Sequence, residues 1–331
     1  MKIHYLFRRS SPVFHSIEEQ FFAMQKALPD GVKYKNVFAK YHSRGFFKRL
    51  GIAIQMAFNQ GDVNHITGDI HFVALFLKKK KTILSVHDIG SILNKHGFKQ
   101  KILRFVWFSM PFARVCKITV ISEFTKSEIL RQFNINPEKI TVISDCVADD
   151  IAFSEKIFNV EKPNILQIGT KPNKNIERLI EAISGIACKL TIVGKLSEEQ
   201  KRLLDKHKID FKNAYNLSRE EIIEAYKQAD IVSFVSLYEG FGVPVLEAQA
   251  TGRVVITSNL EPMNTVAGNG AYLVNPFDVQ DINKAITEVI QNTDLRNSLI
   301  QHGFENIKNY SAKSVAEKYY QLYKLIYETP G

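Results

Sequence analysis

Residues 230–258 read DIVSFVSLYEGFGVPVLEAQATGRVVITS. Both flanks are β-branched apolar runs of strand length. Between them Gly240, Gly242 and Pro244 lead into a helical pattern of Val245, Leu246, Ala248 and Ala250. Strand, glycine loop, helix and strand in that order form a unit of a parallel sheet, with the loop at the strand's C-terminal end, where open α/β sheets take ligands. Glycine lets the backbone approach a ligand closely, and backbone N–H groups of Gly240, Phe241, Gly242 and Val243 near a helix N-terminus favour an anion. Glu239 and Glu247 flank this loop, and both can point into one crevice. Two carboxylate acceptors suit vicinal hydroxyls, so the ligand implied is a sugar joined to a phosphate. A purely structural reading of Glu247, as a helix residue favoured by the dipole or solvated, leaves Glu239 and the glycines unexplained.

Outward from this stretch the chain repeats the same alternation. KIHYLF (2–7), KYKNVFA (33–39), VNHI (63–66), KTILSVH (81–87) and KITVIS, at 117–122 and again at 139–144, read as one strand series. NILQIG (164–169), LTIVG (190–194), DIVSFVS, RVVITS and AYLVN (271–275) read as a second. The fold class expected is α/β with two doubly wound halves, parted by a loop-like stretch near 150–162. SIEEQFFAMQKAL (16–28) reads as a helix opened by a capping box of Ser16 and Glu19. The terminal segment 311–329 is a helix with Val315, Tyr319, Leu322 and Ile326 at helical spacing.

With 331 residues, 45% of them hydrophobic and 24% charged, the chain has the composition of a soluble protein of about two domains. No apolar run reaches the ~20 residues of a membrane span, and the short apolar start is followed at once by Arg8 and Arg9. A cytoplasmic protein is expected. Cys116, Cys146 and Cys188 lack metal or redox spacing and read as small buried residues. There is no G-x-G-x-x-G after the first strand, no Walker lysine, and no D-x-D that would hold a metal against a diphosphate. No metal or other cofactor is expected.

Residues 1–150 carry 23 Lys and Arg against 12 Asp and Glu, and residues 151–331 carry 21 against 22. All the excess positive charge therefore sits in the first half, which can face an anionic partner. Two stretches there, 43–58 (SRGFFKRLGIAIQMAF) and 97–117 (GFKQKILRFVWFSMPFARVCK), mix bases with large apolar residues. They read either as helices at an anionic membrane surface or as core helices with basic outer faces. The lysines at 78–81 read as the end of a helix through HFVALFL, where cations suit the dipole.

SLYEGFGVPVLEAQATGRVVITSN (236–259) resembles the E-x7-E signature of retaining GT-B glycosyltransferases, in particular glycosyltransferase family 4. QIGTKPNKNIERLIEA (167–182), AYKQADIVSF (225–234), VAGNGAYLVNPFDVQDINKAI (266–286) and ISEFTKSEI (121–129) extend the resemblance over most of the second half and parts of the first. It implies two Rossmann-like domains facing a cleft. Residues 1–155, with the helix 311–329 crossing back, would bind the acceptor, and residues 156–310 the nucleotide sugar.

Carried over by position, the resemblance implies that Glu239 contacts the donor sugar near the reacting centre and Glu247 the ribose. It implies that Lys174 neutralises the diphosphate in place of a metal, and that His87, in SVHD, lies near donor sugar and acceptor. Gly169, Thr170 and Lys171 join the glycine loop in binding the donor. The sequence departs from the family's pattern at His15 and Ser16, where a glycine pair is usual, and at Thr170 and Asn173, where an arginine is usual; Lys171 is placed to replace its charge. SDCV (144–147) stands for the family's PNGV. The activity implied is transfer, with retention, from a nucleoside diphosphate sugar to a hydroxyl of a glycan or lipid-linked acceptor. Nucleic acid is not expected as a partner, whereas contact with the inner face of a membrane is open. A nucleotide-sugar epimerase or hydrolase, and a non-catalytic sugar-binding module, are the alternatives.

Overall fold

A computed structural model describes residues 1–9, 16–90, 101, 102 and 104–330. His15, the side chain of Ser16 and residues 97–100 lie outside the described residues. The chain forms two compact units, Met1–Cys146 with Ala312–Gly331, and Val147–Ser311. They part at Cys146, nine residues before the position read from the sequence. The intervening segment belongs to the second unit because it is stitched there: Val147 bridges Ser311, Ile151 is buried, Phe153 packs edge-on against Phe304, and the Asn159 N–H donates to Asp230.

In the first unit β1 (Lys2–Phe7), β2 (Lys33–Phe38), β3 (Val63–Ile66), β4 (Thr82–Val86), β5 (Lys117–Val120) and β6 (Ile140–Val142) form a six-stranded sheet in the order β2-β1-β3-β4-β5-β6. Every pairing is parallel. Central strands such as β4 are buried along their length, as a sheet covered on both faces requires, and edge strand β2 is mostly exposed and carries Lys33 and Lys35. Helices α1 (Ser16–Lys26), α2 (Phe46–Ala57), α3 (Met110–Ala113) and α4 (Glu123–Gln132) lie between the strands.

The lysines at 78–81 do not end an α-helix. His71–Phe76 is a 3-10 helix and Lys79–Lys81 a separate 3-10 turn. The Lys81 Nζ donates instead to the carbonyls of Ile326, Tyr327 and Thr329, at 3.0, 2.9 and 2.6 Å. It thus caps the last turn of the terminal helix, whose final carbonyls have no partner within the helix.

That helix, Ala312–Glu328, packs on this unit through Val315, Tyr319, Leu322, Tyr323 and Ile326, against Tyr5 and Phe21 among others. At ~1.5–3 kcal/mol for each buried large side chain, the gross gain is on the order of 10 kcal/mol. A buried polar chain fixes its register. His65 shares hydrogen bonds of 2.7 Å with the Tyr323 hydroxyl and with Ser85 Oγ, and Ser85 shares one of 2.6 Å with Thr119.

Burial, with the nearby His87, pushes His65 down to about 3, and burial pushes His71 down to about 4 although its bond to the Trp107 carbonyl opposes this. Both stay neutral in the fold but charge in the unfolded chain below ~6.5. The stability they contribute is full above that pH and is lost as pH falls toward 3–4. Denaturant titrations at pH 7 and 5 are expected to show a loss of about 2 kcal/mol per histidine, reduced by about that much in His65→Gln.

In the second unit β7 (Asn164–Ile168), β8 (Lys189–Val193), β9 (Phe211–Ala214), β10 (Ile231–Phe234), β11 (Val254–Ser258) and β12 (Tyr272–Val274) form a parallel sheet in the order β12-β11-β10-β7-β8-β9. Strand β9, FKNA, has no counterpart in the sequence reading: a polar edge strand with one strong apolar residue leaves no alternation to detect. The helices are α5 (Ile176–Ala182), α6 (Glu198–Lys206), α7 (Arg219–Gln228), α8 (Val243–Thr251), α9 (Met263–Ala267), α10 (Val279–Gln291) and α11 (Thr293–Ile307), so the terminal helix is α12. The chain order reverses between β7 and β10, which opens a crevice at their C-terminal ends. Among the described residues no helix is long and apolar enough to cross a membrane.

Candidate functional site

The loops after β7 and β10 meet at this crevice. After β7, Gly169 takes φ +90°, and the stem of Lys174 lies 2.9 Å from where a Cβ would stand, so only glycine fits there. Exposed Lys171 precedes a 3-10 turn, Pro172–Lys174, and Thr170 Oγ1 donates to the Lys195 carbonyl. Asn175 then takes a left-handed conformation at the start of α5, and its buried side chain donates to the carbonyls of Val235 and Pro276 at 3.0 and 2.7 Å. The lysine loop is thereby tied to the end of β10.

After β10 the chain runs through Glu239, Gly240 and buried Phe241 to Gly242, whose φ of +124° turns it into α8. Pro244 sits in the first turn of that helix, where a missing N–H costs nothing. Phe241 packs on Tyr310 with ring centroids 5.8 Å apart, and Val243 is half-buried at the first helical position.

Lys174 Nζ lies 2.7 Å from Glu239 Oε1 and 4.6 Å from the centre of the Phe234 ring. Asn173 Nδ2 donates to the same Oε1 at 3.2 Å and to the Tyr238 carbonyl at 3.0 Å, while the Asn173 carbonyl accepts from the Leu237 N–H. The pair is mostly buried, with 18% and 15% of the side chains exposed. Lys174 is thus neither a free surface lysine nor only a helix-capping one.

Glu247 has other partners. Its Oε1 accepts from Arg219 at 2.7 Å and its Oε2 from the Tyr226 hydroxyl at 2.7 Å, while Arg219 grips Asp150 through two bonds of 2.9 Å. Ser218 caps α7 with a capping box to Glu221, which sets Arg219 at the first helical position. Burial lifts the Glu247 carboxyl above the usual carboxylate range, against the pull of Arg219 and Tyr226. Burial pulls the Arg219 guanidinium down, but Asp150 and Glu247 together hold it above its ordinary value. Glu239 and Glu247 are thus each held by a different set of donors. Glu247 is buried, so its reading as a solvated helix residue fails.

His87 belongs to the first unit, just after β4. Its Nε2 is 2.9 Å from the Thr67 carbonyl. A carbonyl only accepts, so Nε2 carries the proton and a neutral ring presents Nδ1 as the acceptor. Asp145, after β6, is lifted by burial and drawn down by His87.

The sequence does not mark Asn175, Arg219, Tyr226 or Asp150, and it marks Asn173 only as a departure from the family's pattern. The roles of the two asparagine side chains depend on the loops at β10, and no spacing rule links Arg219 to Glu247. Cys146 and Cys188 are buried and Cys116 half-buried, and none of the three forms a disulfide. Among the described residues no three His, Cys, Asp or Glu side chains gather so as to hold a metal ion.

Residues 149–306, nearly all of the second unit, match the family model for glycosyl transferases group 1. An O-antigen chain mannosyltransferase of Salmonella typhimurium is 27% identical over 281 residues, which is 80% of this chain and 77% of that protein. A serotype-specific mannosyltransferase of Escherichia coli is 26% identical over 71% of this chain, but the match spans only 32% of that longer protein. Among solved structures, a glycosyltransferase of Rickettsia africae aligns over 99% of both chains with a TM-score of 0.75 and 19% identity. An Anabaena protein crystallised with UDP and glucose aligns over 98% of this chain and 100% of its own, with a TM-score of 0.80 and 14% identity. The chain therefore has the two-sheet GT-B fold of these proteins, and the family model and the relatives together support a glycosyltransferase.

Proposed function

We propose that the protein is a retaining glycosyltransferase. It moves a sugar from a nucleoside diphosphate sugar to a hydroxyl of a glycan or lipid-linked acceptor, in the synthesis of a cell-surface polysaccharide or glycolipid. The observation that carries this reading is the Lys174–Glu239 pair beside the glycine turn into α8, at the β7/β10 crevice. The two charges satisfy each other. An arriving diphosphate competes for Lys174 and takes the N-terminal end of α8, which frees the Glu239 carboxylate for the sugar. Lys174 then stabilises the charge that develops on the leaving diphosphate, the task a divalent metal performs elsewhere. Glu247, held by Arg219 and Tyr226, presents its remaining lone pairs to the ribose. His87, through Nδ1, stands for the acceptor side. The attack is on the same face as the departing diphosphate, so positioning and charge stabilisation supply most of the rate.

A thermal-shift screen of UDP, GDP, ADP and their sugars identifies the donor. Incubation with that donor and lipid-linked or glycan acceptors is expected to give a glycoside of unchanged anomeric configuration, with turnover unaltered by EDTA. Release of free sugar or an epimerised donor in place of transfer would reassign the reaction, and a strict need for Mg²⁺ or Mn²⁺ would remove Lys174 from its role.

A further inference from the structure

Helix α2 has two apolar faces, and the fold uses only one. Ile52, Ala53 and Met56 point into the core. On the opposite side Phe47, Gly51, Ile54 and Phe58 follow one another at i, i+4, i+7 and i+11, a straight line along a helix of 100° per residue. Phe47 is 85% exposed, Ile54 45% and Phe58, just past the helix end, 86%. The ring of exposed Tyr41 fills the gap at Gly51, 3.5 Å from where a Cβ would stand. Phe46, 72% exposed, adds a ring edge-on to Phe47. The stripe is about 16 Å long at 1.5 Å per residue. The reading of this stretch as a core helix with a basic outer face is thus corrected: the outer face is apolar.

The charge around the stripe has one sign. Between Asp30 and Asp62 there is no carboxylate, whereas Lys33, Lys35, Lys40, Arg44, Lys48 and Arg49 all fall there. Arg49 turns back to lie 4.6 Å from the Trp107 ring, while Lys40, Arg44 and Lys48 are exposed. The whole first unit carries 26 Lys and Arg against 12 Asp and Glu.

We propose that this face of α2 docks the protein on an anionic lipid bilayer, with Phe47, Ile54 and Phe58 inserted at the acyl boundary and Arg44 and Lys48 among the headgroups. Partly buried interfacial helices take this form, an apolar stripe immersed ~5–10 Å with basic residues beside it. A second copy of the chain would set bases against bases. Nucleic acid would meet phenylalanine and isoleucine side chains that offer no hydrogen bond to a base edge. The inference deepens the reading of a membrane-borne acceptor, and its test contains no donor or acceptor, so it stands or falls apart from the activity.

The full chain is mixed with phosphatidylglycerol/phosphatidylcholine vesicles or pure phosphatidylcholine vesicles and sedimented at low and high salt. Binding is expected to the anionic vesicles only and to weaken steeply with salt, because exposed charges are screened over ~8–10 Å. The Phe47→Ser/Phe58→Ser variant, altered only at exposed side chains, is expected to bind at least about tenfold more weakly while keeping its thermal transition. Arg44→Gln/Lys48→Gln is expected to lose much of the salt dependence. The proposal is overturned if the wild type fails to sediment with anionic vesicles at low salt, or if the phenylalanine variant binds equally well. It is also overturned if the stripe instead mediates self-association, seen in ultracentrifugation without vesicle binding, or if an acidic protein or nucleic acid binds through it and vesicles do not.

Discussion

Glu239→Gln is expected to lower transfer by about 10²–10³-fold while leaving nucleoside diphosphate binding intact or tighter. The carboxylate has two tasks that an amide does not share equally. Its Oε1 accepts from Lys174 and Asn173, and a glutamine oxygen can still accept both bonds, so the loops after β7 and β10 stay joined. In the proposed reaction the negative charge facing the sugar is lost, and with it the stabilisation of the positive charge that grows there. Lys174 is no longer neutralised, so a free diphosphate meets less competition. Lys174→Ala is expected to do the reverse, weakening nucleoside diphosphate affinity together with transfer. Calorimetric titration with the nucleotide, beside turnover measured with the sugar donor, separates the two. Near wild-type turnover of folded Glu239→Gln would take Glu239 out of the reaction.

Arg219→Ala is expected to cost about 3 kcal/mol of stability, because it leaves the buried Glu247 carboxylate with only the Tyr226 hydroxyl. For a unit of this size that corresponds to a fall of roughly 6–12 °C in the second unit's transition. The alternative, that the arginine is a surface brace to Asp150, predicts a loss below about 1 kcal/mol. Glu247→Gln separates them: its amide oxygen still accepts from a donor, and no lone charge remains to be desolvated. The double variant Arg219→Ala/Glu247→Gln is therefore expected to be more stable than Arg219→Ala alone, a non-additivity that a brace to Asp150 would not give. Thermal melts of the four proteins at neutral pH decide the matter.

Much of the architecture was legible because its signals are local. The strands β1, β4, β7, β10 and β11 announce themselves as apolar runs, and the turn into α8 by Gly242 and Pro244, since burial on both faces and backbone conformation act residue by residue. The same holds for Glu239, which a strand end and a glycine turn place at a crevice. What the sequence left open depends on which strands become neighbours. Lys174 meets Glu239 across 65 residues and His65 meets Tyr323 across 258, and no period reaches so far. The first contact exists because the sheet order sets β7 beside β10, the second because the terminal helix folds onto β3.

Helix α2 shows the limit most plainly. Its periodicity marks two opposite apolar faces, and hydrophobicity alone does not say which one the core takes. Packing of Ile52, Ala53 and Met56 decided that, leaving Phe47, Ile54 and Phe58 outside. Sequence by itself determined most of the strands and the glycine turn into α8, because those follow from local backbone and burial preferences. Tertiary structure alone decided how Glu247 is held and which apolar surface remains to be covered, because partners for a buried charge and neighbours for an apolar face come from distant parts of the chain.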